Sequence, residues 1–155
     1  MKALQIRFDT LRPFELDSIS GLEKVVGLYF ISVSKTEILY PFRSSRLIYI
    51  GMSEKTSNSI ASRLRGHFDG TSGNLGLTNY RKAQSLMFTY LNFDSIKSFW
   101  RQRVEDLESY FIQDFVQKYG VYPICNNKTG FPDFKQGMHS PLEIDWKHFS
   151  GGKDD

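Results

Sequence analysis

Three short runs rich in aromatic and β-branched residues decide what this chain can build. Gly27-Leu28-Tyr29-Phe30-Ile31-Ser32-Val33-Ser34 alternates in the manner of a strand, and Arg46-Leu47-Ile48-Tyr49-Ile50-Gly51 does the same. Ser85-Leu86-Met87-Phe88-Thr89-Tyr90-Leu91-Asn92-Phe93 is the third. The first two are expected to form an antiparallel pair, with the third pairing to both. Helical patterns lie between and after them, so the fold class is α+β, an antiparallel sheet flanked by helices.

The first helical pattern places Ile60, Ala61, Leu64 and Phe68 on one face behind the cap-rich stretch Ser53 to Ser59, which predicts a helix over Ser59 to Phe68. Gly70 to Gly76 is a glycine-rich loop, and Leu77 to Ala83 is a helical turn. Asp94 is placed to cap a long helix over Ser95 to Tyr119, ended by Gly120, which at 1.5 Å per residue would run roughly 37 Å. The connection Lys35 to Ser45 is long for a hairpin loop. Either the strands extend into it or it is an elaboration with a role of its own.

The chain has 155 residues, 40% hydrophobic and 24% charged, which suits one globular domain and excludes disordered, collagen-like and membrane-spanning classes. That domain is expected to have a core over about 27–127, an N-terminal extension 1–26 packed through Leu4, Ile6, Phe8 and Phe14, and a C-terminal extension 128–155. The latter is loop-rich with Pro132 and Pro141 and frayed from Ser150. Cys125 is the only cysteine, which excludes an intrachain disulfide and a cysteine-built zinc site. With no apolar signal-like run at the N-terminus, the expected location is intracellular, cytoplasmic or nuclear, with no membrane partner.

The net charge is only +3, but between Arg43 and Lys82 seven basic residues face two acids, Glu54 and Asp69. Such a segment can attract a phosphate backbone, and Arg43, Arg46, Lys55, Arg65, Arg81 and Lys82 are its candidate nucleic-acid contacts.

On the long helix, at about 100° per residue, Val104, Leu107, Phe111, Phe115 and Tyr119 form one apolar stripe, and Glu108 falls inside it. A carboxylate there must be neutral, paired or bound to a cation. Arg63 and His67, four apart, share a face of the shorter helix and can address one small target: guanidinium to phosphate, imidazole to a proton. Tyr29 and Tyr49 stand near glycines in the first two strands.

Taken in order, Gly27-Leu28-Tyr29, Tyr49-Ile50-Gly51, Arg63 with His67, Glu108 and Pro123-Ile124-Cys125-Asn126 resemble the GIY-YIG nuclease family over about residues 27 to 127. Leucine stands where the first motif has isoleucine, and the Tyr29 to Tyr49 interval is longer than usual, which suggests an inserted loop. The resemblance implies three antiparallel strands flanked by helices and a metal-dependent endonuclease acting on DNA phosphodiesters. It implies Mg2+, with Mn2+ possible, held by Glu108, and a phosphate contact from Arg63. Tyr29 is then the candidate general base with Tyr49 and His67 orienting or relaying, and Asn126 braces the site, with Asn127 a less favoured substitute. Restriction, homing and repair roles stay open, as does RNA as substrate, and target recognition falls to the basic segment, a homodimer or a partner protein. The alternative is a catalytically inactive nucleic-acid-binding or interaction protein of the same fold, in which Glu108 is ion-paired to Arg63.

Overall fold

In the computed structural model, which describes residues 3–126 and 141–150, every residue of the strand Gly27–Val33 is buried. The reason lies in its alternation. Leu28 and Phe30 enter one hydrophobic core, while Tyr29, Ile31 and Val33 enter a second on the opposite face of the sheet. A strand covered on both faces is apolar at successive positions, and this one is the centre of the molecule.

The strands in chain order are β1 (Leu4–Ile6), β2 (Arg12–Pro13), β3 (Gly27–Val33), β4 (Ile38–Leu39), β5 (Ser44–Ser45), β6 (Leu47–Ser53), β7 (Leu86–Asn92) and β8 (Leu142–Ile144). The α-helices are α1 (Leu16–Ile19), α2 (Ile60–Asp69), α3 (Leu75–Ala83) and α4 (Val104–Tyr119). The main sheet is antiparallel with order β2-β7-β3-β6. The third expected strand therefore pairs with the first alone, on the side away from the second, and the N-terminal extension adds a fourth strand at its outer edge. Because β3 uses both of its edges, β6 and β7 cannot meet.

Helices α1, α2 and α3 belong to one layer, through Ile19, Ile60, Ala61, Leu64 and Leu77, and α4 to the other, through Leu107, Phe111, Phe115 and Tyr119. Helix α2 begins at Ser59, whose hydroxyl accepts from the Ser62 amide at 3.3 Å, and ends at Gly70 in the left-handed conformation. Helix α3 is longer than one turn because Asn74 Oδ1 caps it, accepting from the Leu77 amide at 3.0 Å.

The long helix is shorter than its sequence pattern predicts. It starts at Val104 and spans 16 residues, about 24 Å rather than 37 Å. Between Phe93 and Arg103 the chain runs through a 3-10 turn at Phe93–Ser95 and further turns. Asp94 does not cap a helix; its own amide donates to Asn92 Oδ1 at 3.0 Å. Ile96 and Trp100 are buried in the same core as Val104, so turns satisfy the four-residue apolar spacing, and the Trp100 indole seals the bend by donating to the Arg103 carbonyl at 3.0 Å. At the other end Gly120, with φ of 96°, closes α4 as expected.

The two extensions find each other. β1 and β8 pair in parallel, Leu4 opposite Leu142 and Ile6 opposite Ile144, and with Trp146 and Phe149 they complete the α4-side core. Ile6 and Phe14 are buried as expected, and Leu4 and Phe8 pack against the same core at its margin. The Lys35 to Ser45 connection is an elaboration, the small hairpin β4-β5, tied down by the Tyr40 hydroxyl donating to the Leu47 carbonyl at 2.7 Å. Asn127, Pro132 and the tail beyond Ser150 lie outside the described residues. Among the described residues no helix is long and apolar enough to cross a membrane.

Candidate active site

The outer edge of β6 is where the α2 and α4 layers come together. There a cleft of about 170 Å³ is lined by Tyr49, Arg63, Asn74, Glu105, Glu108 and Asn126, with Met52 and Ile112 beside them. Four of the six residues singled out from the sequence share this wall. The other two, Tyr29 and His67, stand directly behind it.

Both motif glycines have a steric cause. Tyr29 is opposite Gly51 in the β3–β6 register. A Cβ added at Gly51 would lie 2.4 Å from Tyr29 Cζ and 2.5 Å from its hydroxyl, so the phenol ring lies across the space a side chain would fill. Gly51 has no positive φ, so what it provides is room, neither a turn nor a backbone approach. Gly27 differs: at φ of 145°, its Cβ would sit 2.0 Å from the Leu91 carbonyl oxygen, and only glycine lets β3 start this close to β7.

The Tyr29 side chain is fully buried, and its hydroxyl lies 2.9 Å from His67 Nε2 and 3.5 Å from Arg63 Nε. Guanidinium only donates, so Tyr29 accepts from Arg63, and the same hydroxyl shares a hydrogen bond with His67 Nε2. On the other side of the ring, His67 Nδ1 shares a hydrogen bond with Ser72 Oγ at 2.8 Å. The Asn74 amide donates to the same oxygen at 3.3 Å. A chain of hydrogen bonds thus runs from Arg63 through Tyr29 and His67 to Ser72.

Electrostatics hold Tyr29 and His67 neutral beside the charged Arg63. Burial, reinforced by nearby Arg63, pushes the His67 imidazole down from 6.5 to about 4. Burial and the neighbouring Tyr49 raise the Tyr29 phenol far above its ordinary range. Tyr49 is half-buried and faces the cleft; burial raises it first, Glu108 adds to the rise and Arg63 opposes it. Its ring meets those of Tyr29 and His67, with centroids 6.1 and 5.0 Å away.

Asn126 is held by a two-point clasp on the edge strand. Its Oδ1 accepts from the Ile50 amide at 3.0 Å and its Nδ2 donates to the Ile50 carbonyl at 2.9 Å. The Cys125 amide donates to the Ile48 carbonyl at 2.8 Å, so this short segment covers an edge that would otherwise present bare backbone groups. Asn126 thus pins this segment to β6.

Glu108 is half-buried, because α4 presents the margin of its apolar stripe to the cleft. The start of α4 is tied to the end of β6: Arg103 Nη2 lies 2.8 Å from Glu54 Oε1, and its Nε donates to Oε2 at 3.0 Å. The same guanidinium reaches Glu105 at 3.2 Å. These contacts fix the end of the helix from which Glu105 and Glu108 project.

The donors lining this cleft are two carboxylates, a phenol and amides, hard oxygen ligands suited to Mg2+ or Mn2+. Among the described residues no group of three or more His, Cys, Asp or Glu is placed to hold a metal. The donor set fits an ion that takes one or two protein carboxylates and completes its shell with water and phosphate, the habit of Mg2+.

The six basic candidates are not gathered at this cleft. Arg43 is exposed, 5.7 Å above the Tyr119 ring, and Arg46 donates to the Ser150 carbonyl at 3.0 Å. Lys55 is exposed in the turn before α2, and Arg65 is paired with Glu23. Arg81, 4.3 Å above the Phe68 ring, and Lys82 line another cleft between the end of α3 and β2. Ser72, Asn74 and Glu105 are site residues that sequence reasoning missed. Only Asn74 carried a signal, its place as an N-cap, and that signal speaks of helix initiation.

Comparison with protein-family models, curated proteins and solved structures found no match.

Proposed function

We propose that the chain is a GIY-YIG-type endonuclease that hydrolyses DNA phosphodiester bonds with one divalent cation, Mg2+ or Mn2+. One observation carries this reading: Tyr49, Arg63, Glu108 and Asn126, distant in sequence, line one cleft, with Tyr29 and His67 hydrogen-bonded behind it.

In this reading Arg63 binds the scissile phosphate and offsets charge developing on its oxygens. Glu108, with Glu105 beside it, would hold the cation, whose chemistry there is Lewis-acid stabilisation of the phosphate and the departing oxygen. Tyr29 is fully buried, so Tyr49 is the phenol that meets the attacking water. The role expected of Tyr29 as first acceptor moves to Tyr49, and Tyr29 serves behind it, handing its proton to His67 Nε2 as it receives one. Burial and Arg63 keep His67 neutral, so it enters this relay as a neutral imidazole. Asn126 keeps β6, and with it Tyr49, in place.

The test incubates purified protein with supercoiled, linear and branched DNA in Mg2+, Mn2+ or EDTA, beside folded Glu108→Ala and Arg63→Ala variants. Metal-dependent nicks or cuts that vanish in both variants are the expected result. DNA left intact in every lane overturns the reading in favour of a binding module, and products from RNA alone would move the substrate.

A further inference from the structure

Arg63 lines two cavities. Besides the cleft it shares with Tyr49 and Glu108, it forms one wall of a second space of about 260 Å³. This one runs from Asn58, in the turn before α2, along the α2 face carrying Ser62 and Gly66 and is closed by Thr71 and Ser72. The two differ in chemistry. The first carries Glu105 and Glu108, whereas among the described residues no carboxylate lines the second, which offers a guanidinium, the His67 imidazole, an amide and hydroxyls.

Residue 66, which has no side chain, forms part of the wall of the second cavity. Gly66 lies inside α2, where glycine is the poorest helix former after proline, and it has no positive φ. A Cβ there would sit 3.6 Å from Thr71 Oγ1 and 3.7 Å from Ser72 Cβ, ordinary contact distances. Neither backbone conformation nor packing asks for glycine here. A local rule broken without a structural need points to the space itself.

An acceptor-only, multi-oxygen anion suits this donor set, and a cation does not. The Thr71 hydroxyl donates to Asp69 Oδ1 at 2.7 Å, so the donors that count are the Asn58 amide, the Ser62 hydroxyl and Arg63. We propose that this cavity seats the phosphodiester adjoining the one at Glu108, so that Arg63 straddles two consecutive phosphates of one nucleic-acid strand. The proposal rests on the nuclease reading for the identity of the strand, but not on cleavage.

The experiment follows amide NMR signals of the full chain in EDTA while a short DNA duplex, or inorganic phosphate alone, is added. Duplex is expected to shift the Ser62, Gly66, Thr71 and Ser72 amides. Gly66→Glu, which puts a carboxylate in the seat, should weaken duplex binding by about tenfold or more, and the equally large but neutral Gly66→Gln by clearly less. Duplex that binds without moving these signals, or Glu and Gln variants that bind alike, overturns the seat and leaves the nuclease reading standing. Inorganic phosphate producing the same shifts at the same concentration overturns the strand assignment in favour of a free-phosphate site. If DNA is never cut yet these signals move on duplex binding, the nuclease reading falls and the seat stands. The NMR measurement needs no variant, so a failure of Gly66→Glu to fold would not protect the proposal.

Discussion

Replacing Gly51 by alanine tests whether the site is built around the Tyr29 ring. The new methyl carbon would lie 2.4 Å from Tyr29 Cζ, 2.5 Å from its hydroxyl and 2.7 Å from Cε2, against an ordinary contact of 3.4 Å or more. The ring must retreat by about 1 Å within a close-packed core. Overpacking of this kind costs about 1–3 kcal/mol. The retreat also breaks the 2.9 Å hydrogen bond to His67, and a buried hydroxyl left without its partner costs about 1–3 kcal/mol more. The combined loss of about 4 kcal/mol should lower Tm by about 10 °C in a chain of this size.

Urea unfolding of four proteins measures it: wild type, Gly51→Ala, Tyr29→Leu and the double variant. Leucine lacks the atoms that clash, so the double variant should be more stable than the two separate losses imply, by about 2 kcal/mol or more. Gly51→Ala within about 0.5 kcal/mol of wild type, or strict additivity in the cycle, would refute the argument.

Asn126→Ala strips both partners from the Ile50 backbone and should cost about 2 kcal/mol in urea unfolding; Asn126→Asp should be as damaging or worse, since it sets an oxygen against the Ile50 carbonyl. Ser72→Ala removes the hydrogen-bond partner of His67 Nδ1, and 15N NMR of the imidazole should show a changed balance of its two neutral tautomers, while Ser72→Thr keeps the wild-type spectrum. His67 stays neutral in the fold down to about pH 4, against 6.5 in the unfolded chain, so between these values the unfolded state binds the extra proton and stability rises with pH. The contribution, present above pH 6.5 and lost as pH falls to 4, is about 3 kcal/mol, and His67→Gln should flatten that part of the stability–pH curve.

Much of this was written in short-range pattern. The three strands, α2 with its serine cap, and the stop of α4 at Gly120 follow from side-chain alternation, capping chemistry and glycine conformation, all properties of neighbours in the chain. Tyr29, Tyr49, Arg63, His67, Glu108 and Asn126 were singled out on another ground, as the ordered motif residues of the family the sequence resembles. Their meeting was not legible. It depends on β3 taking the centre of the sheet, which sends Tyr29 toward α2, and on β6 being an edge where helices from opposite layers approach. The start of α4 escaped pattern reading because Ile96 and Trp100 keep a helical spacing while the backbone turns, and burial rewards the spacing without regard to the path. The parallel pairing of Leu4–Ile6 with Leu142–Ile144 joins segments more than 130 residues apart, and no local signal reports such a partner. Gly51 marks the boundary between the two kinds of information. The sequence alone shows that a glycine follows Tyr49-Ile50, and only the tertiary structure shows that its missing side chain is the space taken by the Tyr29 ring.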